Sequence, residues 1–103
     1  MSQRSAFVLR VKADRVDEYI RAHREVWPEM LAALRDAGIR NYTIFRAGNE
    51  MFGYFESDDL EAAKAHLGAQ EVSARWQDAM AELLEQRVPD EGPPALEEVF
   101  RLE

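Results

Sequence analysis

Cysteine is absent from the chain, which excludes a disulfide framework, a thiol nucleophile and a thiolate metal site. Histidine is nearly so: there are two, His23 and His66, so proton transfer near neutral pH has few carriers. They lie far apart with no His-x-x-x-His or His/carboxylate cluster around them, and the sequence predicts no metal site. Basic residues are the minority, 13 Lys and Arg against 20 Asp and Glu for a net charge of -7. They are scattered, which speaks against a nucleic-acid partner and gives an anionic substrate no long-range steering field. No run approaches the roughly 20 apolar residues of a membrane helix. Glycine usage is ordinary, five in the chain, with no phosphate-cradling loop. What remains is a small neutral molecule as partner, with no nucleic acid and no membrane.

The rest of the composition, 47% hydrophobic and 32% charged over 103 residues, describes an ordinary globular domain. The amino-terminal residues run into a strand-like segment without a long apolar signal region, which together with the missing cysteines predicts a cytoplasmic protein.

The pattern along the chain is legible. Ala6-Phe7-Val8-Leu9-Arg10-Val11 alternates and is rich in strand formers. Asp14 and Asp17 resemble a capping box and open a helix with Val16, Tyr19, Ile20, His23 and Trp27 on its less polar stripe. Pro28 breaks or restarts that helix, and the next segment carries Met30, Leu31 and Leu34 up to a Gly38 cap. Asn41–Phe45 and Met51–Phe55 are strands joined by a hairpin-like link at 46–50. Asp58 and Glu61 cap a short helix ending at Gly68, and a further helix from about Val72 to Gln86 buries Val72, Trp76, Met80 and Leu83/Leu84. A proline-rich loop at 88–94 leads to a closing strand, Leu96–Leu102. The order β-α-β-β-α-β predicts an α+β, ferredoxin-like sandwich over residues 1–103.

Both faces of the predicted sheet are apolar. Phe7 and Leu9 oppose Ala6 and Val8, and Phe52 and Tyr54 oppose Met51 and Phe55. Helices cover one face, so the other predicts a second subunit and a twofold homodimer.

The candidate chemistry centres on Tyr19, His23 and Trp27, which steps of four bring to one helical face. An imidazole that titrates near neutral pH, flanked by aromatic surface, suits a neutral sugar. Tyr19 and Tyr42 offer phenols for sugar hydroxyls, and Trp27 and Trp76 offer ring surface. The same spacing also describes ordinary core packing, and periodicity leaves the two readings open. His66, at the end of a short helix, complements the helix dipole and carries no catalytic role.

The string Tyr19-x-x-x-His23-x-x-x-Trp27-Pro28-Glu29, together with Ala6-Phe7-Val8, Gly38, Asn41-Tyr42, Arg75-Trp76 and Leu96-Glu97-Glu98-Val99-Phe100, resembles the L-rhamnose mutarotases over essentially the whole chain. The resemblance implies a small dimeric α+β isomerase that interconverts α and β pyranose anomers by ring opening and closure, with no cofactor. It implies His23 as the proton donor and Tyr19, Tyr42 and Trp76 as sugar-binding residues. One departure falls in the site: the family's second tryptophan is Gln77 here, an amide that exchanges stacking surface for hydrogen bonds. The loop at 87–94 also departs from the family's asparagine-rich wording. Two other classes share the architecture: small cofactor-independent monooxygenases of the dimeric α+β barrel kind, and non-catalytic sugar-binding dimers. Dioxygen uptake with a phenolic substrate marks the first, and a dispensable His23 marks the second.

Overall fold

The computed structural model describes residues 2–89 and 92–103. Seven elements follow in order: strand β1 (Gln3–Arg10), helices α1 (Val16–Arg24) and α2 (Pro28–Asp36), strands β2 (Arg40–Ala47) and β3 (Glu50–Ser57), and helices α3 (Leu60–Gly68) and α4 (Glu71–Ala81). The strands form one antiparallel sheet in the order β1-β3-β2, three of the four strand positions of the expected ferredoxin-like α+β sandwich. No helix among the described residues is long and apolar enough to cross a membrane.

The local devices are those the sequence announces, shifted in places by a residue. Gly48, at φ +61°, takes the first place of a two-residue turn between Ala47 and Glu50, a conformation glycine adopts without steric cost. Gly38, at φ +84°, follows the Ala37 cap of α2. The α1 capping box does not form: Arg15 holds the N-cap position with no side-chain bond. In α3 the cap is Asp59, one residue beyond the expected Asp58, and it accepts from the Ala62 backbone N–H at 3.1 Å. Helix α4 stops at Ala81 instead of Gln86. The chain turns there so that Leu84 bridges Val11 and Leu83 accepts from Lys12, and Leu83 and Leu84 stay buried without being helical.

One element differs in kind. Residues 92–103 form no strand. A single backbone bond, Leu96 N–H to Ala6 C=O at 2.8 Å, ties the segment to the free edge of β1, where a fourth ferredoxin-like strand would lie. Beyond it Val99, Phe100 and Leu102 are exposed, Phe100 by 73%. Glu98 also accepts from Arg4 Nε of β1 at 3.0 Å, but one ladder bond and one exposed ion pair, with residues 96–102 unburied, do not build a strand.

The helices pack on one sheet face, where Met51, Leu9, Ile44 and Phe55 join Val11, Tyr19, Met30, Trp76 and Met80 in the core. Phe7 lies flat over Gly53: a Cβ built at Gly53 would fall 2.0 Å from the ring. The opposite face carries a cross-strand row, Val8-Phe52-Phe45, all exposed, Phe45 by 66%.

Candidate active site

Between the sheet and the helices lies a cavity of about 450 Å³, inside the range of roughly 300–1,000 Å³ usual for small-molecule sites. Each chemical group reaches it for a local reason.

His23 stands in the last turn of α1 and lines the cavity. Its Nδ1 lies 2.9 Å from the Tyr19 backbone oxygen. A carbonyl only accepts, so Nδ1 carries the proton and donates. In the neutral ring Nε2 is then an unprotonated acceptor, and it has no protein partner among the described residues. Burial pushes the His23 pKa below its ordinary value, against the opposing pull of the Tyr19 carbonyl. At neutral pH the ring is an uncharged base with one working nitrogen.

Tyr19 lies one turn earlier on α1, 4% exposed, its ring stacked on His23 with centroids 4.2 Å apart. It is not among the residues lining the cavity. Burial pushes its phenol up to about 12, so it stays protonated at any ordinary pH. Trp27 is not on the α1 face that four-residue spacing suggested. Helix α1 ends at Arg24, and Pro28 forces an extended backbone on the residue before it. Trp27 accordingly takes φ -54° and ψ 133° and sets its ring perpendicular to Trp76, 5.1 Å between centroids. Arg75 lies over the Trp27 ring and pairs with Glu29 at 3.0 Å.

Trp76, buried on α4, lines the cavity beside Gln77 and meets His23 edge to face at 5.4 Å. The aromatic string thus becomes a packed chain in space: Tyr19 on His23, His23 on Trp76, Trp76 on Trp27. Each ring limits the rotation of the next.

Tyr42 reaches the cavity through a β-bulge. Arg40 pairs with Glu56 and Thr43 with Tyr54, leaving Asn41 and Tyr42 opposite Phe55 alone. Asn41 absorbs the extra residue in the left-handed region at φ +51°, which asparagine tolerates, and its side-chain amide donates to Glu56 at 2.9 Å. The inserted residue turns Tyr42 to the helical face, where it packs at 5.3 Å on Phe55 and 6.1 Å on Phe7. Burial raises its phenol above its usual range.

Of the residues singled out from sequence, His23, Tyr42, Trp76 and Gln77 line one cavity, and Tyr19 lies behind His23. Lining groups that sequence reasoning passed over are Ser5, Ser73 and Lys64. The signal for Lys64 was present: it interrupts the stripe Leu60, Ala63, Leu67 at positions one turn apart.

The family model of L-rhamnose mutarotase matches residues 4–102. An L-rhamnose mutarotase of Oceanobacillus iheyensis is 33% identical over 98% of this chain and 99% of its own length. One from Acidiphilium cryptum is 39% identical over 94% and 95%. The crystal structure of an L-rhamnose mutarotase from Formosa agariphila superposes with a TM-score of 0.76 at 31% identity, covering 98% of this chain and 99% of that one. Matched along its length in sequence and in fold, the chain belongs to the L-rhamnose mutarotase family.

Proposed function

We propose that the protein is an isomerase that interconverts the α and β anomers of L-rhamnose, with His23 as its proton carrier. The observation that carries this reading is the neutral His23, its Nδ1 committed to the Tyr19 carbonyl and its Nε2 unpartnered, on the wall of a sugar-sized aromatic cavity. Membership of the family favours it over a monooxygenase or a non-catalytic binding dimer.

Anomer exchange needs one proton to leave the anomeric hydroxyl and one to reach the ring oxygen. His23 Nε2 accepts the first. The electron pair left on the anomeric oxygen forms the carbonyl as the bond from the anomeric carbon to the ring oxygen breaks. The imidazolium returns its proton to that departing oxygen, giving the open-chain aldehyde. Rotation about the C1–C2 bond presents the other carbonyl face, and the same steps reversed close the ring. One nitrogen serves as base and then acid, so no second titrating residue is required. Such assistance is worth about 10²–10⁴-fold.

Tyr42 and Gln77 hold sugar hydroxyls, and Trp76 covers the apolar side, including the methyl group. Tyr19 holds the imidazole through its backbone oxygen and stacked ring. The protein works as a homodimer in the cytoplasm. The dimer reading is supported by the exposed Val8-Phe52-Phe45 row and the exposed apolar residues of 96–102, and the cytoplasmic one by the cysteine-free composition.

Saturation-transfer NMR on the anomeric protons tests the reaction. Added protein should accelerate α/β exchange of L-rhamnose above that of L-fucose and D-glucose. Unchanged exchange for every sugar would remove the proposal.

A further inference from the structure

Helix α3 presents Leu60, Ala63, Lys64 and Leu67 to the cavity. These positions form one helical stripe, and a lysine in such a stripe is out of pattern. Lys64 is also out of pattern electrostatically. The protein carries a net charge of -7, yet among the described residues no carboxylate lines the cavity and Lys64 is its one lysine or arginine. Several arginines outside the cavity are paired, among them Arg40 with Asp58, Arg75 with Glu29 and Arg87 with Asp78. Lys64 makes no ion pair or hydrogen bond among the described residues. Lys64 lines the cavity and is exposed, as expected of a lysine whose stem covers apolar surface. On the neighbouring helix α4, Gln77 also lines the cavity and adds amide donors to it.

A lone ammonium with an amide suits a carboxylate. A phosphate dianion calls for several cations or a nest of N–H groups, and the lining offers neither. In a pyranose held with its anomeric hydroxyl and ring oxygen at His23, the exocyclic carbon is attached to the ring atom next to that oxygen. We propose that Lys64 extends the substrate range of this cavity from neutral sugars to uronates, sugars in which the exocyclic carbon is a carboxylate. The inference rests on the mutarotase reading of the same site. The ring-opening chemistry is unchanged, because the carboxylate takes no part in it. An exposed ion pair is worth little, so the expected preference is about two- to fivefold in KM and shrinks as salt screens it.

The test uses three sugars of one stereochemistry that differ only at the exocyclic carbon: L-rhamnose (methyl), L-mannose (hydroxymethyl) and L-mannuronate (carboxylate). Anomeric exchange is measured against sugar concentration for the wild type, Lys64→Met and Lys64→Arg, at low and high sodium chloride. The expected result is a lower KM for L-mannuronate than for L-mannose, with the ratio moving to unity in Lys64→Met and in high salt and retained in Lys64→Arg. Accelerated exchange of L-rhamnose and L-mannose without that advantage, or with an advantage indifferent to Lys64→Met, overturns the inference and leaves the mutarotase reading standing. No acceleration of any of the three overturns both.

Discussion

At the scale of single residues the account turns on which nitrogen of His23 is free and in which protonation state. The Nδ1–H bond to the Tyr19 carbonyl settles the first, and burial, by disfavouring the charged ring, settles the second. The pH dependence follows with a definite sign. The base form starts the cycle, so the exchange rate should be flat above about pH 6.5 and fall below it, through the depressed pKa of the folded protein. A rate that instead declined as pH rose through the same region would mark imidazolium as the starting form. Stability moves the same way. The unfolded chain protonates His23 at its ordinary 6.5 and the folded chain only at lower pH. Between the two values the unfolded state holds more protons, so stability rises with pH across that window and is lost as pH falls through it. Urea titrations of wild type and His23→Gln over that interval should differ in slope. Tyr19, Trp27 and Tyr42 show what residue spacing leaves out. Steps of four place Tyr19 beside His23, but the proline after Trp27 and the bulge at Asn41 decide where the other two rings go, and neither is a matter of periodicity.

At the scale of elements, the site depends on close approaches that the sheet makes possible. Phe7 occupies the space a side chain at Gly53 would need, and that ring in turn packs on Tyr42 and Phe55. Gly53→Ala should therefore lower stability by about 1–3 kcal/mol through overpacking, a fall in Tm of about 10 °C for a domain of this size. An unchanged Tm would show that Phe7 has room to move. The three strands, the hairpin and the break at Pro28 were legible because each is written locally, in alternation, glycine and proline. The end of α4 was not, since the chain leaves the helix at Ala81 to make a bridge between Leu84 and Val11, a contact across more than 70 positions of sequence. Lys64 interrupts the apolar stripe of α3 in the sequence, but α3 is short and rich in alanine, and only the sheet beneath it makes that stripe the wall of a cavity.

At the scale of the whole molecule, two features expected from sequence meet in one place. The second apolar face of the sheet is there, as the Val8-Phe52-Phe45 row. The closing strand is not, although Leu96, Val99, Phe100 and Leu102 alternate or cluster as a strand would. A strand is defined by its backbone partner, and residues 97–103 show no ladder bond among the described residues, only the Arg4–Glu98 side-chain pair. Exposed apolar surface of this kind marks a protein interface, and the twofold dimer proposed above would cover the sheet row. Phe45→Asp places a charge at its most exposed member. Sedimentation should report a dimer for the wild type and a shift toward monomer for this variant. A monomeric wild type at micromolar concentration would contradict the dimer.

The most direct test of the central claim is anomeric exchange of L-rhamnose by saturation-transfer NMR, comparing wild type with His23→Ala after circular dichroism has established that both are folded. The account predicts accelerated exchange in the wild type, reduced by about 10²–10⁴-fold toward the uncatalysed rate in the variant. Equal acceleration by the two proteins would show that the proton travels by another route and that His23 is not its carrier.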